Sequence, residues 1–351
     1  MSKKYAELCP YTPGEQPRDM QYIKLNTNES PFPPSPKAQA VIDGRSKELL
    51  RLYPDPQGTE LIDAISEVYG IPAGNLFVTG GSDEALAYAF MSFCDENTPA
   101  VFPDVTYGFY PVVADLLKVP VRRVPLKDFR LQPQDYYSSG GTIVIANPNA
   151  PTGIAIPLSA VSDICIHNPD NVVILDEAYV DFGAESALKL LHECPNLLVV
   201  QTFSKSRSLA GGRISFSAAA EEIISDLNRI KFSINPYDLT RLSIAAGAAA
   251  VRDTGYFQDC RAKIIETRKF VSAELCKLNF NVIDSQANFL FASPRVVAGI
   301  DYYLELKKRG ILVRHFPGAL TKDYVRITIG TRAQMEEFIE KTKEILEEQT
   351  V

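Results

Sequence analysis

The sequence predicts an α/β fold, with a large domain built on a mostly parallel central sheet flanked by helices and a smaller α+β domain after it. Three observations point there. Residues 143–146, 172–175 and 198–200 are short runs of almost pure Val, Ile and Leu without polar alternation, the pattern of strands buried on both faces in a parallel sheet. Helical periodicities alternate with the strand signals along the chain. The length of 351 residues exceeds the roughly 100–200 residues of one domain.

In order, the stretch to about residue 36 is rich in Pro, Asn and Tyr, lacks a period, and reads as an extended arm. Leu61, Ile62, Ile65, Val68 and Tyr69 share one helical face, with Thr59 placed to cap that helix. Ser82, Asp83 and Glu84 open a helix that runs to residue 93, its acidic first turn suiting the helix dipole. The three apolar strands then end in polar or small residues: Asn147, Asp176 and residues 202–206. Beyond Asn235 an Ala-rich helix (239–251) and a long amphipathic one (256–278) precede short strands at 289–291, 311–313 and 324–329. The expected organisation is an arm over 1–36, a large domain over 37–235 and a small domain over 236–351.

Composition narrows the class. Apolar residues make up 46% and charged residues 23%, as in ordinary globular proteins. A net charge of −7 argues against a nucleic-acid partner, which calls for a basic face. Six scattered cysteines without a Cys-x-x-Cys pair, and three histidines, argue for reduced thiols and against a zinc site. No signal-peptide core or membrane-length apolar run occurs; the expectation is a cytoplasmic enzyme.

In open α/β sheets ligands bind at the carboxyl ends of the strands, so the polar residues there are the candidates for chemistry. Asp176 closes a buried strand, where a carboxylate is costly unless paired; a protonated pyridine nitrogen is one partner that suits it. Tyr179, three residues on, is within reach of a phenolic oxygen. Lys205 follows another buried strand among small and hydroxyl residues, where desolvation lowers its pKa and prepares it as nucleophile and base. Arg213 follows two glycines and is placed as a phosphate clamp. Gly80, Gly81 and Ser82 before a helix make an anion site, and Tyr107 is placed to stack on a ring. Together these match the needs of a cofactor with a pyridine ring, an aldehyde and a phosphate.

The order Gly80-Gly81-Ser82, Tyr107-Gly108-Phe109-Tyr110, Asn147-Pro148-Asn149-Ala150-Pro151-Thr152-Gly153, Asp176-Glu177-Ala178-Tyr179 and Ser204-Lys205 with Arg213 eight residues on closely resembles the fold-type-I pyridoxal-phosphate aminotransferases, over essentially the whole chain. Asn26-Thr27-Asn28-Glu29-Ser30-Pro31, Arg51-Leu52-Tyr53-Pro54-Asp55, Gly81-Ser82-Asp83-Glu84 and Val325-Arg326-Ile327-Thr328-Ile329-Gly330-Thr331 look like the histidinol-phosphate aminotransferase family. The resemblance implies pyridoxal 5′-phosphate as cofactor and Lys205, Asp176, Tyr179 and Tyr107 as the catalytic group. Lys205 would bind the cofactor as a Schiff base, Asp176 would pair with the ring nitrogen, Tyr179 would meet the phenolic oxygen and Tyr107 would stack. Gly81, Ser82, Asp83 (through its backbone), Ser204 and Arg213 would hold the phosphate, with Tyr53 reaching it from the other subunit of a homodimer. Tyr11, Asn28, Arg314 and Arg326 would receive the substrate.

Two departures matter. The family commonly has a second Asn directly before Pro-Thr-Gly, where this chain has Ala150; either Asn149 substitutes at the phenolic oxygen or Tyr179 acts alone. Ser30 stands where a larger residue is usual. The implied reaction is ping-pong transfer between glutamate and imidazole-acetol phosphate, giving L-histidinol phosphate and 2-oxoglutarate. Aromatic-amino-acid aminotransferases and L-threonine-phosphate decarboxylase share most of these motifs. A non-catalytic pyridoxal-phosphate sensor would call for a DNA-binding module with a basic stretch, and no Gly-x-Gly-x-x-Gly marks a dinucleotide enzyme.

Overall fold

The computed structural model describes residues 5–43 and 45–348. The first part of the chain contains β1 (Ile23–Lys24), α1 (Pro36–Asp43), α2 (Thr59–Tyr69), β2 (Leu76–Thr79), α3 (Ser82–Phe93), β3 (Ala100–Pro103), α4 (Phe109–Leu117) and β4 (Val121–Val124). The middle contains β5 (Thr142–Ala146), α5 (Leu158–Ile166), β6 (Val173–Asp176), β7 (Leu197–Thr202), β8 (Ser215–Ala218) and α6 (Glu221–Ile234). The last part contains α7 (Arg241–Arg252), α8 (Thr254–Lys277), β9 (Phe280–Ile283), β10 (Phe289–Pro294), α9 (Gly299–Lys308), β11 (Ile311–Leu312), β12 (Arg314–His315), β13 (Val325–Thr328) and α10 (Arg332–Glu348).

The large sheet has the order β2-β8-β7-β6-β5-β3-β4. The run β7-β6-β5-β3-β4 is parallel, while β8 joins β7 and β2 antiparallel. The three apolar runs are β5, β6 and β7, buried along their whole length. In the register, Asp176 lies between Ala146 and Val200, which puts its carboxylate at the middle of the sheet's carboxyl edge. Strand β8, though buried along its whole length, carries no such apolar signature, because two of its four residues are the buried serines Ser215 and Ser217, 0% and 1% exposed.

Helix α2 starts as expected but is capped differently. Gly58, at φ 66°, precedes α2, and the Asp55 carboxylate, not Thr59, accepts the N–H groups of Gln57 (3.1 Å) and Thr59 (2.8 Å). An Asp accepting such orphan N–H groups does the work of a cap.

The smaller unit is an antiparallel sheet, β12-β13-β10-β9, whose core joins Leu290, Val325 and Ile327 to Ile264, Tyr302 and Phe338 of the helices. Two packing relationships go beyond the sequence reading. Helix α7 packs on α1 and α2, and its Ile244 and Val251 share a core with Leu61 and Ile65. The packing of α7, beyond residue 235, is thus with the helices of the first part of the chain. The Ala- and Gly-rich face is what admits this contact: a Cβ on Gly247 would lie 3.0 Å from Leu61. The stretch read as an arm is also tied down, since β1 pairs parallel with β11 and Leu25 lies in the small unit's core. No helix of the described residues is long and apolar enough to cross a membrane.

Candidate active site

The carboxyl edge of β5, β6 and β7 opens into a cavity of about 650 Å³, walled on its other sides by residues of the N-terminal stretch and of β12 and β13. Asp176, 4% exposed, forms its floor. Its Oδ2 accepts the Tyr110 hydroxyl at 2.8 Å and its Oδ1 the N–H of Ala178 at 3.1 Å. Burial pushes this carboxyl up to about 6, against the two hydrogen bonds. Such a group accommodates a cation readily.

Lys205 lies on the loop after β7. Its Nζ donates to the Thr27 carbonyl at 3.1 Å and stands 6.0 Å from the centroid of the Tyr179 ring. Burial brings the ammonium down to about 8, the Arg326 charge adding to the effect while Glu29 and Asp83 oppose it. The neutral amine, the form a nucleophile or base requires, is thus reached far more easily than for a solvated lysine.

Beside Lys205 is an anion cradle. The N–H groups of Ser82 and Asp83 head α3, where no intrahelical acceptor exists for them. Gly81, at φ 113°, lets the Arg213 guanidinium come close: a Cβ there would sit 2.6 Å from an Arg213 terminal nitrogen. Arg213 lies 3.8 Å from the Asp83 carboxylate. Ser204 completes the group, its Oγ accepting from Thr202 Oγ1 at 3.0 Å.

Tyr107 donates to Asp83 Oδ1 at 3.0 Å, and Tyr11 meets its ring edge-on, centroids 5.9 Å apart. Across the cavity, Arg314 and Arg326 are cross-strand partners. Arg326 lies over the rings of Phe289 and Phe316 (5.3 and 5.4 Å) and donates to the Asn26 carbonyl. Arg314 donates to the carbonyls of Thr12 and Pro13, each at 3.1 Å.

Lys205, Asp176, Tyr179, Tyr107, Ser82, Asp83, Ser204, Arg213, Tyr11, Arg314 and Arg326 thus line one cavity. Four expected residues do not: Gly81, which lies behind the cradle against Arg213, and Asn149, Asn28 and Tyr53. Asn149 is turned away: its amide donates to Val105 O (3.0 Å) and Thr152 Oγ1 (3.2 Å), and it borders a separate small void. It does not fill the place of the Asn missing at Ala150, which itself lines the cavity. Asn28 turns onto Tyr179, its Nδ2 donating to the Tyr179 hydroxyl at 2.9 Å, and is not among the residues that line the cavity. Tyr53 stands 76% exposed, stacked on Tyr237 at 4.6 Å, outside the cavity of its own chain. Conversely, the sequence reading missed Tyr110 and Thr27 as partners of Asp176 and Lys205. The spacing of Tyr107 and Tyr110 about one helical turn apart was the available signal for the first; a backbone carbonyl such as that of Thr27 leaves none.

The family model for aminotransferase class I and II matches residues 20–341. Histidinol-phosphate aminotransferases of Brachyspira hyodysenteriae and Clostridium acetobutylicum are each 48% identical, over 99% and 98% of this chain and 98% of theirs. The chain belongs to the histidinol-phosphate aminotransferase family, within class I and II. Among solved structures, histidinol-phosphate aminotransferase from Sinorhizobium meliloti in complex with pyridoxal-5′-phosphate shares the fold at TM-score 0.86 and 22% identity, covering 93% of this chain and 92% of that one.

The residues of this aminotransferase fit pyridoxal 5′-phosphate. The cradle of helix N–H groups, Ser204 and Arg213 suits a phosphate, the raised Asp176 suits a protonated ring nitrogen, and Lys205 suits an aldehyde. Three buried polar atoms of cavity-lining residues, Asn26 Oδ1, Thr106 Oγ1 and Arg326 Nε, have no hydrogen-bond partner among the described residues. Orphans of that kind are rare unless a ligand or solvent meets them.

Proposed function

We propose that this aminotransferase exchanges the amino group between L-histidinol phosphate and 2-oxoglutarate, through pyridoxal 5′-phosphate bound at Lys205. The observation that carries the substrate assignment is the pair Arg314 and Arg326, set on adjacent strands of the cavity that also holds Lys205. Two guanidinium groups suit the phosphate of the amine substrate and the carboxylates of the keto acid in turn.

When bound, pyridoxal phosphate supplies the aldehyde that takes the amino group and the ring that takes up the electrons released at the substrate carbon. The chain's own residues do the rest. Ser82, Asp83 (through its N–H), Ser204 and Arg213 would hold the phosphate, and Tyr107 would lie along one face of the ring. Asp176 would keep the ring nitrogen protonated, its carboxylate favouring the charged form in a buried site. Tyr179 would donate to the phenolic oxygen. Lys205 Nζ removes the proton from the amine-bearing carbon and returns it on the other side of the transfer, the role its lowered pKa suits. Tyr11, Asn26, Thr27 and Glu29 supply the wall of the cavity contributed by the N-terminal stretch.

The working unit on this reading is a homodimer. Leu49, Leu50, Leu52 and Tyr53 are all more than 40% exposed, and such a patch calls for a partner. Tyr53 would reach the cofactor phosphate of the other subunit.

A half-reaction tests the assignment. L-histidinol phosphate is added to the cofactor-loaded protein with no keto acid present. The visible band of the bound cofactor should disappear and return with 2-oxoglutarate. Bleaching by phenylalanine or tyrosine alone would move the enzyme to aromatic substrates; no visible band after incubation with the cofactor would overturn the role of Lys205.

A further inference from the structure

We propose that Asn28 is a positioning residue: its side-chain amide pins the Tyr179 hydroxyl so that the single phenolic proton points into the cavity, toward the oxygen on the cofactor ring. The inference rests on the placement of Tyr179 at that oxygen given above, and extends it.

Asn28 is 1% exposed and held at every polar atom. Its N–H donates to Thr328 Oγ1 at 3.0 Å, its Oδ1 accepts from the same hydroxyl at 3.0 Å, and its carbonyl accepts from Asn288 Nδ2 at 3.0 Å. With Oδ1 occupied by Thr328, the amide presents Nδ2 to Tyr179, at 2.9 Å. A phenol oxygen that accepts an N–H still has its one proton to give, and accepting one bond strengthens the bond it donates. The ring cannot swing away, because Phe289 meets it edge-on at 5.0 Å and 88°. The backbone of Asn28 is left-handed, φ 57°, a conformation Asn tolerates better than most residues.

The need for this device lies opposite. Ala150 packs with Ala287 and Phe289 in an apolar cluster against Tyr179, and Asn149 spends its amide on Val105 and Thr152. Neither supplies a side-chain donor, so the phenolic oxygen depends on Tyr179 and on how its proton is aimed. Asn28 also joins three parts of the protein, because Thr328 and Asn288 belong to the small unit and Tyr179 follows β6.

The test is the pH titration of the visible absorption of the cofactor-loaded protein, for Asn28→Gly, Asn28→Asp, Tyr179→Phe and the double variants. Gly accepts the left-handed backbone without strain. Losing a donor to the ring oxygen makes the cofactor hold its proton more tightly. Tyr179→Phe should therefore raise the midpoint by about one pH unit, and Asn28→Gly by about half a unit. Asn28→Asp should raise it further than Gly, its carboxylate drawing the Tyr179 proton to itself; it also serves should the Gly variant fail to fold. In the Tyr179→Phe background Asn28→Gly should add nothing, the signature of two groups acting as one. Equal shifts in both backgrounds, or no shift with Asn28→Gly while Tyr179→Phe shifts, would overturn the role of Asn28 alone. No shift with Tyr179→Phe would overturn the placement of Tyr179 and this inference with it.

Discussion

Arg314 and Arg326 face each other across the antiparallel pair β12–β13, so two guanidinium groups share one face of the small sheet and one wall of the cavity. They are not equivalent. Arg326 is held between aromatic rings with its Nε unpartnered, and burial, with the charge of Arg314 acting the same way, pushes its pKa down. Arg314 already spends two nitrogens on the carbonyls of Thr12 and Pro13. Arg326, desolvated and with its Nε still free to donate, gains most from an arriving anion.

Arg326→Ala should therefore lower kcat/KM for L-histidinol phosphate by roughly 10²-fold or more, the cost of removing one member of a buried charge pair. Arg314→Ala should cost about tenfold. Arg326→Lys should recover little, because an ammonium does not reproduce a two-pronged contact. Steady-state kinetics with L-histidinol phosphate, L-histidinol and glutamate measure this. An unchanged preference for the phosphorylated amine in Arg326→Ala would remove the argument for the substrate.

Lys205 supplies a pH prediction. Its pKa falls from the ordinary 10.5 to about 8, and only the neutral amine attacks an aldehyde. The rate at which the cofactor-free protein gains its visible band should rise with pH and level off above about 8. Arg326→Ala removes the largest charge acting against the ammonium, so the inflection should move upward in that variant. An inflection above 10 in the wild type would mean that the amine is solvated and not buried as described.

The chemistry at the strand ends was legible because burial leaves a compositional trace. Asp176 and Lys205 follow runs of Val, Ile and Leu that suit little except a doubly covered parallel sheet, and polar residues there stand out. What was not legible depends on direction. Position along the chain does not show that a left-handed backbone turns Asn28 onto Tyr179 or that loop hydrogen bonds turn Asn149 onto Val105. Strand β8 stayed hidden because two of its four buried residues are serines; one of them, Ser215, bonds to Thr79 Oγ1 at 2.6 Å on the neighbouring strand. The packing of α7 on α1 and α2 was not legible because an Ala-rich helix looks alike in either domain; the close approach of Gly247 to Leu61 goes with its place.

Asp176 links the cofactor to stability. Its pKa in the folded chain is about 6 against an ordinary 3.8, so between those values the folded chain binds more protons than the unfolded one. Stability from this group is full below about 4 and is lost as pH rises through 6. Asp176→Asn should flatten that part of the profile: relative to wild type, the cofactor-free variant should gain on the order of 3 kcal/mol on going from pH 4 to pH 7. The amide can still accept from Ala178 N–H while donating to the Tyr110 oxygen. Urea unfolding at several pH values reads the difference. With cofactor bound, a cationic partner should bring the carboxyl down and largely erase the wild-type slope. The same substitution should cut kcat by roughly 10²–10³-fold, as for loss of a preorganised charge partner.

Gly81 tests the cradle without touching a charged group. Its φ of 113° is one that L side chains rarely adopt, and a Cβ would sit 2.6 Å from Arg213. Gly81→Ala must strain the turn into α3 or push the guanidinium aside, and the second outcome removes the clamp from the phosphate. Cofactor affinity of the cofactor-free protein, followed by absorbance titration, should weaken by roughly tenfold to a hundredfold, as for loss of one charged hydrogen-bond partner. Arg213→Ala should weaken it comparably. Combining the two should cost little more than either, since both act through one contact. Pyridoxal without its phosphate separates this from general damage: its weaker binding should be nearly the same in wild type and in both variants. A parallel loss of pyridoxal binding would place the effect in the fold of the turn and not in the grip on phosphate.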